Sequence, residues 1–171
     1  LEAAYGDWPQ ARRTSVNVNA IIPAVTAEVA SVLVRDAVIR DGCTTIKVKV
    51  TGDSIADEAR ISATRDALDA ALGSGIGRIR IDANACWSAA DAISALKRLA
   101  VYGLEYVEQP VESNEDLRIV HAAIDVPVAV DESIRKDKSL DAAAMRELRE
   151  IADFAIIKPA PVGGVWRAVE L

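Results

Sequence analysis

Five segments of strand-like composition each end in a charged residue. They are TTIKVKV, closing near Lys49, RIRIDAN with Asp82, LEYVEQP with Glu108, PVAVDES with Asp131, and FAIIKPA with Lys158. A strand buried in a sheet should be apolar, so charges repeated at strand ends need a chemical reason. Three carboxylates converging on one place call for a cation. Asp82, Glu108 and Asp131 are hard oxygen donors, the kind that Mg²⁺ accepts while keeping positions open for water and substrate. The motifs contain no histidine, and neither cysteine lies beside the acids, which disfavours zinc.

Lys47 and Lys49 stand two apart on one predicted strand, so both point to the same face. Two neighbouring ammonium groups repel, and a metal nearby pushes the same way, so one lysine is expected to lose its proton more easily than usual. That would make it a general base near neutral pH. Lys158, on a later strand, would reach the same cavity from the opposite side. A substrate held between two amines suits removal of a proton next to a carboxylate, with the metal steadying the enediolate that forms.

The elements that must position these groups alternate along the chain. The charged ends follow one another at intervals of 33, 26, 23 and 27 residues, the length of one strand–helix repeat. Strands are predicted at 15–23, 44–50, 78–83, 104–107, 126–130 and 154–157. Helices are predicted near 26–40, 54–72, 88–102, from Asn114, and over 140–151, with a last one opened by Gly163 and Gly164. Thr26, Ser54 or Asp53, and Ser88 read as N-caps, and Gly42 as a helix stop. In the first helix Val29, Val32, Leu33 and Val38 are read as the apolar face. In the second, Ile55, Ala59, Ala63, Ala67, Ala70 and Ala71 are read as facing the sheet. Strict alternation of strands and helices means α/β architecture with a parallel sheet. Regular advance of the charged ends, with no switch point, favours a (β/α)₈ TIM-type barrel over a doubly wound sheet. Six strands do not close such a barrel, which takes about 250 residues. Residues 1–171 are therefore expected to form a single partial barrel domain, part of a longer enzyme.

A net charge of −6 without a basic stripe argues against nucleic-acid or anionic-membrane partners. No apolar run reaches the roughly 20 residues of a transmembrane helix, and residues 1–10 lack a signal-peptide layout. Cys43 and Cys86 are too few for a disulfide framework, so free thiols in a reducing cytoplasm are expected. The single histidine, His121, is expected at a partly exposed helix position, leaving histidine catalysis little to work with.

These motifs as a set resemble the enolase superfamily, specifically its muconate-lactonising-enzyme-like subgroup. KVK at Lys47–Lys49, DAN at Asp82–Asn84, VEQP at Val107–Pro110, VDES at Val130–Ser133 and IKP at Ile157–Pro159 carry the resemblance. The stretches VNVNAIIPAV, DVPVAVDESIRK and KPAPVGGV look most like the o-succinylbenzoate synthases of actinobacterial type. That likeness implies a lyase of menaquinone biosynthesis, converting 2-succinyl-6-hydroxy-2,4-cyclohexadiene-1-carboxylate to 2-succinylbenzoate and water. It implies Mg²⁺, with Mn²⁺ as substitute, on Asp82, Glu108 and Asp131, a small-molecule carboxylate substrate, Lys49 as base and Lys158 as cationic stabiliser. Lys47 would support Lys49 and the substrate carboxylate. Asn84 and Glu132 would stand behind the ligands, and Gly163 and Gly164 would bring backbone close to the substrate. Family members also carry an N-terminal α+β capping domain and strands seven and eight, which this sequence does not display. Dipeptide epimerases and N-acylamino-acid racemases share the lysine pair and form the alternative reading. A non-catalytic truncated barrel is a reading of another class. Oligomeric state is left open.

Overall fold

The computed structural model describes residues 14–136 and 141–171. Six strands form one sheet in the order in which they occur: β1 (Ala20–Ile22), β2 (Thr45–Lys49), β3 (Arg78–Asp82), β4 (Leu104–Glu108), β5 (Val128–Val130) and β6 (Phe154–Ala155). Every neighbouring pair is parallel. Helices fill the connections: α1 (Ala27–Asp41), α2 (Ser54–Leu72), α3 (Ala89–Leu99), α4 (Asn114–Ala123), a short α5 (Glu132–Lys136), α6 (Ala142–Arg149) and α7 (Val165–Glu170). Sequential order with parallel pairing throughout is six consecutive strands of a (β/α)₈ barrel pattern, as the charge spacing predicts.

Side chains alternate across each strand. Ile46, Val48, Ile79, Ile81, Val107, Val128 and Val130 point to the helical side and are buried against Val34, Ile61, Leu68, Leu96, Leu117, Leu148 and Ile151. Burial of each such side chain stabilises by about 1.5–3 kcal/mol, which makes this apolar layer the main support of the fold. The opposite face of the sheet carries the charges.

Local signals set most boundaries. Thr26 accepts from the Val29 N–H at the start of α1, and Gly42, with φ of 68°, ends that helix in the left-handed region. Asp53, not Ser54, caps α2, accepting from the N–H groups of Ile55 and Ala56. Ser88 caps α3, whose predicted last turn tightens to a 3₁₀ turn over Ala100–Tyr102. Ser113 caps α4.

Several expectations are corrected. The first strand is three residues long rather than nine, because Val16 and Val18 alternate correctly but remain exposed and outside the β1–β2 ladder. In α1 the sheet takes the row Ala30, Val34 and Ala37, leaving Val29, Val32 and Leu33 exposed. In α2 the buried row is Asp57, Arg60, Ile61, Thr64, Ala67 and Leu68, while Ile55, Ala59, Ala70 and Ala71 face solvent. Alanine fits either face of a helix, and a buried ion pair is invisible to a hydrophobic-periodicity search. β5 and β6 are shorter than predicted, α5 is not among the predicted helices, and Leu140, the expected start of the helix over 140–151, lies outside the described residues.

Among the described residues β1 bonds only to β2, and β6 only to β5. Unpaired backbone at both edges invites association. Expressed alone, residues 1–171 are expected to form oligomers or aggregates, whose mass multi-angle light scattering would report. A monodisperse, cooperatively unfolding monomer would contradict this.

Candidate active site

Three of the five charges stand in one row across the sheet. Lys49 pairs in register with Asp82, and Asp82 with Glu108. The next partner in the row is Ala129. Asp131 therefore lies one pleat further on, just past β5, and Lys158 lies three residues beyond β6. Backbone bonds continue the ladder past the strands: Val50 N–H donates to Asp82 O, Ala83 N–H to Glu108 O, and Ile156 N–H to Val130 O. The acids emerge at the carboxyl ends of the strands, where barrels of this kind keep their chemistry.

Each carboxylate is held by a cation. Lys47 Nζ lies 3.0 Å from both Asp82 Oδ2 and Glu108 Oε2. Lys49 Nζ is 2.6 Å from the same Asp82 oxygen and 2.6 Å from Asn84 Oδ1. Lys158 Nζ is 2.6 Å from Asp131 Oδ2. Asn84 Nδ2 donates to Glu132 Oε1 at 3.1 Å, and Arg135 Nη2 reaches that oxygen at 2.7 Å. The structure thus brings Lys47, Lys49, Asp82, Asn84 and Glu108 into one network, and Asp131, Glu132, Arg135 and Lys158 into its continuation. Gly163 and Gly164 stand apart: both have positive φ, and their backbone N–H groups bond Ala160 and Pro159 as the chain turns from Lys158 into α7.

The expected repulsion between Lys47 and Lys49 is answered by the carboxylate they share. Burial works against charge on Lys47, but its bonds to Glu108 and Asp82 outweigh that and hold its pKa above the ordinary lysine value. Lys47 is therefore not the lysine of the pair that loses its proton more easily. Burial also works against charge on Asp82, yet the hydrogen bonds from Lys49 and Lys47 leave its pKa below the usual range. Glu108 moves the other way: burial and the negative charge of Asp82 raise its pKa, and Lys47 compensates only in part.

Among the described residues no three His, Cys, Asp or Glu side chains are gathered closely enough to hold a metal as they stand. The donor chemistry nevertheless fits one. Glu108 Oε1 and Asp131 Oδ1 are buried carboxylate oxygens without a hydrogen bond, and the like-charge repulsion on Glu108 is only partly offset by Lys47. Such groups are costly unless a cation meets them. Asp82, Glu108 and Asp131 would hold that ion through side-chain oxygens.

Two supports escape a reading of the sequence. Gln109 is fully buried with φ of 40°, and its side chain clasps the ends of β4 and β5. Oε1 accepts from the N–H groups of Asp131 and Ser133, and Nε2 donates to Val111 O and Ser133 Oγ. Arg60 forms a buried pair with Asp57 at 2.8 Å, donates to the Lys49 carbonyl at 2.9 Å and to Val25 O at 2.6 Å. Asp57 in turn accepts from the N–H groups of Thr51 and Gly52. The pair ties the strand end that carries Lys49 to its surrounding loops. Its signal was the polar D-x-x-R spacing on one helix face, three residues apart. Arg60→Met would strand the Asp57 charge in the interior, so a loss of about 3–5 kcal/mol in unfolding free energy is expected. Urea denaturation of the full-length protein measures it; a loss under 1 kcal/mol would show that the pair is not holding the loops.

The remaining polar candidates fall away from the network. Cys43 is buried and Cys86 exposed, and both are free thiols. Partial desolvation of its sulfur and nearby Asp57 push Cys86 up to about 11, so it is no thiolate nucleophile near neutral pH. His121 is half-buried on α4 and faces Asp153 at 3.3 Å. Among the described residues no helix is long and apolar enough to cross a membrane.

Comparison with known proteins agrees with this fold. The family described as Enolase C-terminal domain-like matches residues 30–171. The o-succinylbenzoate synthase of Mycolicibacterium smegmatis is 43% identical over 177 residues, covering 100% of this chain and 50% of that protein. That of Thermobifida fusca is 42% identical over 173 residues, covering 99% of this chain and 51% of its own length. The chain spans about half the length of these relatives. Among solved structures, the dipeptide epimerase from Enterococcus faecalis complexed with Mg and the dipeptide L-Leu-L-Tyr superposes with a TM-score of 0.79 at 30% identity. That match covers 91% of this chain and 42% of the epimerase. With six parallel strands in barrel order and a family match over most of its length, the chain belongs to the enolase C-terminal domain-like family.

Proposed function

We propose that this chain supplies the proton-abstracting part of a Mg²⁺-dependent lyase of the o-succinylbenzoate synthase type. The observation that carries this reading is the row of Lys49, Asp82 and Glu108 at the strand ends, with Asp131 and Lys158 one step beyond. Identity of about 40% to o-succinylbenzoate synthases supports the choice of reaction. When bound, Mg²⁺ supplies Lewis-acid stabilisation of a substrate carboxylate that gains charge as its neighbouring carbon is deprotonated. Lys49 takes that proton, with Asn84 Oδ1 holding Nζ in place. As the C–O bond breaks, the departing hydroxyl takes that proton back from Lys49, so 2-succinylbenzoate and water leave and the base is regenerated. Lys158 offers its positive charge to the enediolate, an electrostatic contribution strongest where water is excluded. Lys47, with its pKa raised, stays charged and serves the substrate carboxylate rather than the proton transfer.

The second reading is a dipeptide epimerase, favoured by the superposition on the Mg-bound enzyme at 30% identity. There the two lysines would exchange one proton on opposite faces of an α-carbon. The test is to supply the full-length protein with the cyclohexadiene carboxylate and, separately, with dipeptides. Dehydration is followed by ultraviolet absorbance, and α-proton exchange by NMR in deuterated water. Aromatisation supports the lyase; exchange on dipeptides without dehydration rejects it in favour of the epimerase.

A further inference from the structure

The charges at the strand ends balance one another. Lys47, Lys49, Lys158 and Arg135 face Asp82, Glu108, Asp131 and Glu132, four cations against four carboxylates. The proposed chemistry gives a task to each lysine and none to Arg135. This residue sits near the end of α5 with its side chain 36% exposed, while Asp131 beside it is fully buried. Its guanidinium divides between two acids, Nη2 at 2.7 Å from Glu132 Oε1 and Nε at 3.1 Å from Asp131 Oδ1. The second contact is close but misaligned, since Asp131 Oδ1 has no hydrogen bond. Guanidinium groups bind carboxylates best with two parallel N–H groups on one acid, and that arrangement is missing here. Asp131 Oδ1 therefore receives positive charge from Arg135 without the directional bond, which makes this contact the easiest of the set to surrender.

We propose that Arg135 competes with the bound divalent cation for Asp131 and so sets the affinity for that ion. The inference rests on the reading of Asp131 as a metal ligand. A unit charge a few ångströms from a divalent ion repels it even at a partly hydrated site, and replacing Arg135 by a neutral side chain relieves that repulsion. Loss of the guanidinium also leaves Glu132 uncompensated, which acts in the same direction. A residue that merely held Asp131 in position would give the opposite sign, because its loss would loosen a ligand.

The test is Mn²⁺ titration of the full-length protein without substrate, with free Mn²⁺ read by electron paramagnetic resonance. Arg135→Met is expected to bind Mn²⁺ about tenfold more tightly than the parent, a shift estimated from the screened charge–charge term. Arg135→Lys keeps the charge and is expected to stay within about twofold of the parent on the same reasoning. Unchanged or weaker binding by Arg135→Met overturns the proposal, and so does equal tightening in both variants. If the parent itself takes up no Mn²⁺ at millimolar concentration, the metal assignment fails first and the proposal falls with it. That failure is read on the parent alone and is distinct from the others.

Discussion

Lys49→Ala in the full-length protein is expected to lower turnover by about 10²- to 10⁴-fold while metal binding survives, the range typical of a lost general base. The reason is specific to the network. Lys49 touches Asp82 and Asn84 and is the less buried of the two strand-β2 lysines, with 32% of its side chain exposed against 11% for Lys47. Its removal leaves Lys47 still bridging Asp82 and Glu108, so the carboxylates keep one counter-charge and their positions. The loss should fall on kcat, since a base acts in the chemical step. NMR exchange of the substrate α-proton in deuterated water checks the role directly. Should Lys49→Ala exchange at the parent rate, Lys49 is not the base and the assignment passes to Lys158.

Asp131→Asn is expected to weaken Mg²⁺ binding on the order of 10²-fold or more, beyond what loss of an outer supporting residue usually costs. The amide keeps the shape of the side chain and removes its charge, in a position with no exposure at all. Lys158 would lose the carboxylate it meets at 2.6 Å, whereas Arg135 would keep Glu132. Isothermal titration calorimetry of the full-length protein decides the matter. Parent-like Mg²⁺ affinity in Asp131→Asn would remove Asp131 from the ligand set.

The charged strand ends could be read from the chain because two constraints coincide there. Period-2 alternation gives Lys47 and Lys49 one face, and the repeat length puts Asp82 and Glu108 on the strands that follow. The structure adds what spacing alone does not hold: Ala129 fills the next place in the row, so Asp131 stands one pleat beyond it, and Lys158 lies three residues past a shortened β6. The helix faces were misread where burial is polar or carried by small residues. Asp57 and Arg60 go inward on α2 because their partners include carbonyls and turn N–H groups supplied by other segments, and Thr64 does so with its hydroxyl bonded to the Arg60 carbonyl one turn back. No local pattern announces such partners. Gln109 and Arg135 were missed for the same reason. One sits in a left-handed backbone position that nothing but the surrounding bonds explains, and the other rides a five-residue helix too short to show a period. The raised pKa of Lys47 is not legible from the lysine pair alone, because it comes from Glu108 and Asp82, carboxylates of other strands within bonding distance of its amine.

The in-register row of Lys49, Asp82 and Glu108 also governs which changes of length the chain can absorb. A single residue inserted into or deleted from β2, β3 or β4 turns everything beyond it to the other side of the sheet. The charge at the strand end would then face the layer of Val48, Ile81 and Val107, each at 0% exposure, and an aliphatic residue would take its place among the acids. Shifts by two restore the facing but break the row by one pleat. Insertions and deletions should therefore be purged from these strands far more strictly than from the exposed turn around Ser74 and Gly75, at the opposite end of the sheet. The reading frame of the pleat, rather than the identity of any one neighbour, is what length variation must preserve.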